Sequence, residues 1–443
     1  MAATRRKWTR RDVLWRLAGA AGAAAAGTPY FVPARALGRD GAVAASERVT
    51  MGFIGVGGQG GGHLRGGAWT YLPGGYLARP DVQVLGVCDV QASRREGRLA
   101  EVNRYYAARS GQDGYKSAKG YVDFRELLAR PDVDAVLFGT PIHWHSVMVI
   151  LAAEAGKDIY CEKPTALTLA DSKAMRDAVV RHGRVFQGGT QQRSEYGGKF
   201  RLACELVRSG RIGRLREVYS CIGGGGFVWR PGFGPPRAVP ASVDWDLWLG
   251  PAPWTPYDGG LNAHRFGDGG TNWGQHHFDI VQWGMGADDT GPVEVAADHM
   301  TYANGVVVHC SHYPDPTIGI PGGMRFRGEG GAVFVGTDGK IAVDRQVIIA
   351  NPPEILRKPI GPDDVHLYNT MSHSGNFLDC VRTRRRTICD IESTHRAACL
   401  LVLPSVAGRI GRTLKWDPAA ERFVDDDEAN RMMSVAWRPP WRL

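Results

Sequence analysis

The sequence predicts an α/β protein of two domains, an N-terminal domain built on a parallel sheet and a C-terminal α+β domain with a large open mixed sheet. Its 443 residues are more than one hydrophobic core usually holds. Over residues 48–165, short apolar runs alternate with segments of helical periodicity, a pattern typical of parallel strands joined by crossover helices. Over residues 166–443, apolar runs follow one another with few long helices between them, which favours a mixed or antiparallel sheet.

Composition indicates a soluble globular protein that has no nucleic-acid partner. Apolar residues make up 43% of the chain and charged residues 22%. The net charge of +9 would by itself suggest nucleic-acid binding, but the first 36 residues hold seven Lys or Arg residues and only one acid, Asp12. Because this segment accounts for +6 of the charge, the basic balance belongs mainly to the N-terminus.

Residues 1–36 are predicted to be a twin-arginine signal peptide. Arg10 and Arg11 precede a weakly apolar run, Leu17–Ala26, and Ala34-Arg35-Ala36 offers a small-x-small cleavage site. The pattern predicts the twin-arginine export machinery as a partner and a periplasmic or otherwise exported mature chain that begins near Leu37. The alternative is an ordinary basic, Ala-rich helix. No stretch approaches 18 consecutive apolar residues, so stable membrane insertion is not expected.

Strands and helices are predicted to alternate in the first domain, with a Gly/Pro-rich aromatic insertion at residues 68–80. The predicted strands are Val49–Val56, Val82–Cys88, Ala135–Gly139 and Lys157–Cys161, and the predicted helices are Leu99–Arg109, Phe124–Ala129 and Ser146–Ala155.

The second domain is predicted to hold several strands, a Gly/Pro/aromatic loop over residues 223–270, a helix at about residues 272–285 and closing helices within residues 372–413. Loop aromatics such as Trp229, Trp245, Trp248, Trp254 and Tyr257 suit either sugar stacking or packing of the loop. The predicted strands are Glu217–Ile222, Val293–Tyr302, Gly305–Ser311, Met324–Gly328 and Ala332–Gly336, and the closing helices are Ser372–Arg384 and Ser393–Thr413.

A glycine-rich turn follows the first predicted strand and matches the GxGxxG pattern. Glycines at these positions allow a tight turn and let backbone N–H groups reach a pyrophosphate at a helix N-terminus. In a chain with 59 glycines a chance loop is the alternative, but the position after the first strand of an alternating domain favours a Rossmann dinucleotide-binding domain. The predicted cofactor-binding residues of the turn are Gly55, Gly57, Gly58, Gln59 and Gly60.

Asp89 closes the second predicted strand and is expected to contact the adenosine ribose. A carboxylate at this position accepts hydrogen bonds from both ribose hydroxyls, which favours NAD over NADP. Arg94 and Arg95 follow closely and suit either a 2′-phosphate, as in NADP, or solvated positions on the next helix. Both cofactors therefore stay open at this point.

No metal site is predicted. The eight cysteines are scattered and form no CxxC pair, which argues against a zinc ribbon or a thioredoxin-like site. His143 and His145 would share one face of an extended segment, but spacing ties no carboxylate to this pair. Because the segment Thr140-Pro141-Ile142-His143-Trp144-His145 follows a strand, its Thr140, Pro141, His143 and His145 are expected to line the cofactor pocket.

Glu162, Lys163 and Pro164 follow the fourth predicted strand. A residue before proline has restricted backbone geometry, which suits a side chain that must point into a site. Five segments, in this order, resemble the glucose–fructose oxidoreductase and inositol dehydrogenase (Gfo/Idh/MocA) family and its exported twin-arginine-type bacterial members. They are Gly55–Gly60, the Thr-Pro-x-His segment, Glu162–Pro164, Asp244–Pro251 and Pro440–Leu443.

The resemblance implies that Lys163 is the catalytic lysine, that Glu162 and Lys163 contact the cofactor, and that the segment Gly188–Arg193 contacts cofactor or sugar. An ammonium near a developing alkoxide stabilises its charge and helps release the proton. Polar side chains in the segment Gly188–Arg193 suit recognition of sugar hydroxyls, so Gln191 and Arg193 are predicted substrate residues. Since the family often pairs subunits through its open sheets, a homo-oligomer is also expected.

On the predicted helix at about residues 272–285, Asn272, His276 and Asp279 share one face. His276 fits a general base, and Asp279 is expected to orient its ring, contact substrate or cap a neighbouring loop. A buried helix start with self-satisfied polar groups is the alternative. Many members of the family have an aspartate where Asn272 stands; asparagine binds a hydroxyl but cannot accept its proton, and Asp268 is a candidate substitute. His277 is expected to be a packing residue.

Three functions are compatible with these residues. The first is a sugar or polyol oxidoreductase with tightly held NAD or NADP, and the second is a glycoside hydrolase or lyase that acts through transient oxidation. The third is a sugar-binding protein without catalysis, which Asn272 favours. A small carbohydrate is the expected partner in all three.

Overall fold

The computed structural model describes residues 43–67, 70–110, 114, 116–225, 232, 234–267, 269–320 and 325–442. The predicted signal peptide, Trp229 and Asp268 lie outside these residues. Residues 1–48 and 49–443 form two separate units. In the first unit the described residues contain one short 3-10 turn, Ala45–Glu47, next to which Arg48 donates to the carbonyl of Val43.

The N-terminal half of the second unit is built on a parallel sheet, as predicted. In the described residues it has six strands in the order β3-β2-β1-β4-β5-β6. Every residue of β1 is buried, which explains its continuous apolar run. The strands are β1 (Val49–Ile54), β2 (Val82–Cys88), β3 (Lys119–Tyr121), β4 (Ala135–Phe138), β5 (Asp158–Cys161) and β6 (Phe186–Gly188).

Helices connect these strands. The side chain of Thr168 caps the helix that leads to β6 by accepting from the Asp171 N–H. Because β6 pairs with β5 beyond the predicted boundary at residue 165, the parallel sheet includes residues that the sequence analysis assigned to the C-terminal domain. The helices are α1 (Gly58–Arg65), α2 (Ala92–Ser110), α3 (Phe124–Leu128), α4 (His145–Glu154) and α5 (Leu169–Arg181).

The C-terminal half contains a mixed sheet. Within the described ranges it has nine strands in the order β13-β12-β11-β7-β10-β9-β8-β14-β15, and the β7–β10 pair is parallel. The strands are β7 (Leu215–Tyr219), β8 (Glu294–Val295), β9 (His299–Thr301), β10 (Val307–His309), β11 (Ala332–Gly336), β12 (Lys340–Val343), β13 (Ile348–Asn351), β14 (Leu414–Asp417) and β15 (Arg422–Phe423).

Two long helices, α8 and α11, pack with one face of this sheet in a shared hydrophobic core that contains Val218, Phe334 and Leu400. Asp390 caps the start of α11, and Gly411 ends it in the left-handed region with φ of 80°. The helices are α6 (Lys199–Arg208), α7 (Trp245–Leu249), α8 (Gly269–Met285), α9 (Glu354–Arg357), α10 (His373–Thr383), α11 (Ile391–Ile410) and α12 (Asp427–Arg431).

Two predicted strands of this domain are wrong. The segment predicted as one strand over Val293–Tyr302 is a hairpin of β8 and β9, closed by the hydrogen bond from the Ala296 N–H to the His299 carbonyl. Of the strand predicted over Met324–Gly328, residues 325–328 are described and are not extended in a ladder. Gly328 and Gly330 there have φ of +75° and +68°, which interrupts a strand.

All eight cysteines are buried free thiols. No helix among the described residues has both the length and the apolar composition needed to cross a membrane.

Two glycine substitutions are expected to have opposite effects on stability, because one meets the packed contact between α8 and β11 and the other meets open space. A Cβ at Gly284 would lie 2.4 Å from the Phe334 ring, so Gly284→Ala is expected to cost about 1–3 kcal/mol through overpacking. Gly97 is exposed in α2 with no atom within 4 Å of its added Cβ, so Gly97→Ala is expected to stabilise by about 0.5–1 kcal/mol. Thermal unfolding of both variants checks this, and a Gly284→Ala variant as stable as the wild type would contradict the packing.

Candidate functional site

The predicted glycine turn joins β1 to α1 and requires glycine for two different reasons. Gly55 has φ of +77°, in the region that other residues rarely adopt. A Cβ at Gly60 would lie 1.9 Å from the Gly55 carbonyl oxygen, so only glycine lets α1 approach the turn. A Cβ at Gly58 would meet nothing within 4 Å. The start of α1 therefore borders the cleft, and the backbone N–H groups of a first helical turn are suited to bind a phosphate.

Two adjoining clefts run along the carboxyl edge of the parallel sheet. The first has a volume of about 210 Å³ and is lined by Gly57, Gly58 and Asp89. The second has a volume of about 240 Å³ and is lined in part by Lys163. Their position on both sides of the turn fits the two halves of a dinucleotide. Both are lined by Gly139, Thr140 and Pro141, and the second also by Gln59, His145, Glu162, Pro164 and Asn272.

Asp89 lies at the end of β2, where the sequence predicts it, and is 7% exposed. Its two carboxylate oxygens accept from the N–H groups of Val56 at 3.1 Å and Gln91 at 2.9 Å. Burial raises the pKa of Asp89, and these hydrogen bonds oppose the rise. Arg94 lines the same cleft, whereas Arg95 donates to the backbone carbonyl of Asp89. Arg94 is thus the arginine that faces the ribose end.

Glu162 is buried at the end of β5 and is bonded to α1. Nε2 of His63 donates to its Oε1 at 2.7 Å, and Gln191 donates to the same oxygen at 3.1 Å. Burial alone would raise the pKa of Glu162, but the interactions with His63 and the charge of Lys163 hold it below its usual value. The carboxylate is therefore a fixed negative charge under the cleft. His63 was not predicted from the sequence, although it lies one helical turn after Gly60.

Lys163 follows Glu162 and faces residues of α8. Its Nζ donates to the Asn272 carbonyl at 3.3 Å and to Asn272 Oδ1 at 3.4 Å, and lies 5.6 Å from the centre of the Trp273 ring. Burial lowers the pKa of Lys163, which the charge of Glu162 opposes and that of Arg345 reinforces. The structure therefore joins Lys163 and Asn272, which are 109 residues apart in the sequence.

His276 lies one helical turn after Asn272 and is 2% exposed. Its Nδ1 is 2.8 Å from the Thr190 carbonyl, which can only accept, so Nδ1 carries the proton and Nε2 is the basic nitrogen. Burial and then the charges of Lys163 and Arg345 hold the pKa of His276 well below its usual value. Its ring centre is 5.8 Å from that of Trp273. Lys163 and His276 thus both lie next to the Trp273 ring. Lys163 lines the second cleft, and His276 is buried behind it.

Arg345 lies in the turn between β12 and β13 and was not predicted from the sequence. Its guanidinium is 4.9 Å from the centre of the Trp273 ring and 5.1 Å from that of Tyr196. The hydroxyl of Tyr71, from the 68–80 insertion, donates to that of Tyr196. Local sequence contains no sign of this contact, because it depends on the pairing of the mixed sheet.

Three predicted substrate residues are engaged elsewhere. Arg193 donates to Asp279 at 2.9 Å and to Asp288 at 2.7 Å, and its side chain is 3% exposed. The second carboxylate oxygen of Asp279 accepts from Thr190 Oγ1 at 2.9 Å. The side-chain amide of Gln191 donates to Glu162 Oε1. The charges of Arg193 and Asp279 neutralise each other inside the protein, so their contact with substrate stays a prediction. Asp279 fixes Thr190, whose carbonyl orients His276.

His143 is also placed differently from the prediction. The segment Ile142–Trp144 is a 3-10 helix rather than extended, so His143 and His145 do not share a face. The His143 ring centre is 3.6 Å from that of Phe266, and Nε2 is 3.0 Å from the Trp248 carbonyl. His143 packs between domains, and His145 lines the second cleft. His277 is a packing residue, as expected, with Nδ1 at 2.6 Å from the Ser220 carbonyl.

Both halves of the chain match models of one protein family. The Gfo/Idh/MocA model described as "Oxidoreductase family, NAD-binding Rossmann fold" matches residues 49–190. The companion model described as "Oxidoreductase family, C-terminal alpha/beta domain" matches residues 206–443, more than half of the chain.

Curated relatives match over a limited span. Levoglucosan dehydrogenase of Pseudarthrobacter phenanthrenivorans is 32% identical over 170 residues, which are 38% of this chain and 39% of that protein. Glycosyl hydrolase family 109 protein 1 of Shewanella sp. strain ANA-3 is 30% identical over 173 residues, 38% of this chain and 34% of that protein. The chain thus matches less than half the length of these relatives.

A solved structure shares the fold. The WlbA dehydrogenase from Bordetella pertussis, in complex with NADH and UDP-GlcNAcA, has a TM-score of 0.53 and 17% identity, over 84% of this chain and 98% of that chain. The likeness confirms the predicted combination of a Rossmann domain and a C-terminal domain with a mixed sheet.

The assignment of Arg193 to the core predicts a stability effect. Arg193→Ala leaves two carboxylates without their cation and is expected to destabilise the protein by about 3–5 kcal/mol, measured by thermal or denaturant unfolding. The matched control is Lys173→Ala, which breaks an exposed pair with Asp177 and should cost less than about 1 kcal/mol. Unchanged stability together with lost sugar binding would instead assign Arg193 to the substrate.

Proposed function

The chain belongs to the Gfo/Idh/MocA oxidoreductase family, and on this basis we propose that it transfers hydride between a hydroxyl of a sugar or polyol and a tightly held nicotinamide cofactor. The observation that carries the proposal is the meeting of Lys163 and His276 at Trp273, beside a cleft that continues to the glycine turn. A lysine and a neutral histidine are the groups that an alcohol oxidation needs.

In the proposed reaction Lys163 stabilises the developing charge and His276 accepts the proton. Bound NAD or NADP supplies the hydride acceptor. Lys163 Nζ donates a hydrogen bond to the reacting hydroxyl and stabilises negative charge on its oxygen. His276, neutral because burial lowers its pKa, takes the hydroxyl proton at Nε2. Asn272 holds Lys163 through Oδ1 and cannot itself accept the proton.

NAD is the favoured cofactor, because the carboxylate of Asp89 lines the ribose end of the first cleft. Arg94 at the same cleft is the group that would accept a 2′-phosphate. A mass spectrum of the nucleotide released from protein purified without added cofactor tests both the retention and the identity. Finding no nucleotide, and no binding of NADH or NADPH on titration, would overturn the proposal.

A glycoside hydrolase that works through transient oxidation is the second candidate, favoured by the relative named as a family 109 glycosyl hydrolase. Incubation with aryl glycosides and free sugars separates the two. Release of aglycone without net NADH supports the hydrolase, and formation of a keto-sugar supports the oxidoreductase. Tight sugar binding without any turnover would support a binding protein, to which Asn272 in place of an aspartate lends weight.

Export through the twin-arginine route and a homo-oligomeric state are further parts of the proposal. The route carries folded proteins, so a cofactor would be loaded before export and retained in a periplasm without a free supply. Cell fractionation of the wild type and of a variant with Arg10 and Arg11 both replaced by lysine tests the route. Equal distribution of the two proteins between cytoplasm and periplasm would argue against it.

Replacement of Lys163 is expected to separate binding from chemistry. Lys163→Met should lower kcat about 10²–10⁴-fold, because the group that stabilises the alkoxide is lost, while NADH binding persists. Lys173→Met, at an exposed lysine of α5, is the control and should leave both unchanged. Steady-state kinetics and cofactor titration make the comparison, and retention of full activity in Lys163→Met would exclude the assigned role.

The two charges near Lys163 predict opposite shifts in the pH profile. Glu162 raises the pKa of Lys163 and Arg345 lowers it. Glu162→Gln should therefore move the basic limb of the kcat profile to lower pH, because Lys163 loses its proton earlier, and Arg345→Met should move it to higher pH. Profiles at saturating substrate test this, and shifts of the same sign would contradict it.

A further inference from the structure

Residues 242–249 of the C-terminal domain, here named the strap, are hydrogen-bonded to the Rossmann domain just after Asp89. The Ala92 N–H donates to the Ser242 carbonyl at 2.8 Å, and the Asp244 N–H donates to the Val90 carbonyl at 3.1 Å. Gln91 and Val243 form an isolated antiparallel bridge between these two bonds. The strap thus pairs with the loop after β2, next to the end of the first cleft where Asp89 lies.

The second half of the strap is helix α7, which contributes to the wall of this cleft. Asp244 caps the helix by accepting from the Leu247 N–H at 2.9 Å. Leu247 and Trp248 then line the cleft that also contains Asp89 and Arg94. Trp144 Nε1, in the Rossmann domain, donates to the Leu247 carbonyl at 3.0 Å, so the strap is also hydrogen-bonded to a second residue that lines this cleft.

The C-terminal tail, residues 438–441, fastens the strap from outside and is here named the latch. Arg438 donates to the carbonyls of Gly250 and Asp246, each at 2.9 Å, and its own N–H donates to the Pro251 carbonyl at 2.7 Å. Trp441 packs edge-on against Trp144 with ring centres 4.6 Å apart. Strap, latch and Trp144 therefore form one connected wall.

The chemistry of this wall suits an adenine ring. Leu247 and Trp248 face a cleft that is otherwise lined by apolar and aromatic groups such as Val122, Phe124 and Trp144, with polar groups at the ribose end. A flat heteroaromatic ring is held well by such surroundings. Because Leu247 and Trp248 belong to the C-terminal domain, a ring seated against them contacts both domains, and separation of the strap from the loop after β2 would open the cleft further.

We propose that the strap covers the adenine half of the nicotinamide cofactor, and that the latch sets the rate at which the cofactor is released. The inference rests on the proposed function for the presence of the cofactor, and adds the element that retains it. Release then depends on contacts of Arg438 and Trp441, which lie outside the cleft and away from the hydroxyl chemistry at Lys163.

The test measures release directly. Protein loaded with NADH is mixed with excess lactate dehydrogenase and pyruvate, which oxidise each released NADH, and the absorbance decay gives the release rate constant. Trp441→Ala and Arg438→Ala should each release NADH at least about tenfold faster than the wild type. Trp254→Ala, at a tryptophan of the same loop that is 64% exposed, is the matched control and should release at the wild-type rate.

Binding of cofactor fragments locates the effect. Both latch variants should bind ADP-ribose at least about tenfold more weakly, whereas their affinity for nicotinamide mononucleotide should equal that of the wild type. Circular dichroism and thermal unfolding identify a variant that has lost its fold, and Arg438→Lys serves as the milder second variant.

The outcomes separate the inference from the function on which it rests. If wild-type protein binds NADH and both latch variants release it at the wild-type rate, the strap inference fails and the proposed function stands. Equal weakening for both fragments would also overturn it, because the latch would then act on the whole cleft. Failure of the wild type to bind NADH, NADPH or ADP-ribose would overturn both proposals.

Discussion

The buried carboxylate of Glu162 joins the three segments that make the site. It accepts from His63 on α1 and from Gln191 in the loop after β6, and its own backbone leads directly to Lys163. A carboxylate in such surroundings is stable only while its donors stay in place. The glycine turn, the end of β5 and the start of the C-terminal domain are therefore held in one arrangement, and the position of the lysine is a consequence of it.

Local motifs predicted the half of the site that one domain supplies. The first strand, the glycine turn and Asp89 are each recognisable from a few consecutive residues, because their backbone geometry depends mainly on residues adjacent in the sequence. Helical periodicity also placed Asn272 and His276 on one face correctly. Helical periodicity does not show which part of the protein packs against each residue. Asp279 was therefore predicted to contact substrate, although its carboxylate accepts hydrogen bonds from Arg193 and Thr190.

Arg345 illustrates what local patterns omit. An arginine in a turn between two strands has the same composition cues whether it is solvated or directed at an active site. Its contact with Trp273 is set by the pairing of β11, β12 and β13, whose register arises from many side chains far apart in the chain. The early domain boundary has a similar origin, because β6 is only three residues long and carries little pattern of its own.

The burial of every cysteine has a consequence for the chemistry of the medium. Burial raises the pKa of thiols such as Cys88, Cys161 and Cys389 well above the usual value, so the reactive thiolate is scarce. Thiol chemistry that depends on the thiolate, such as disulfide exchange and oxidation, is therefore disfavoured at these three positions.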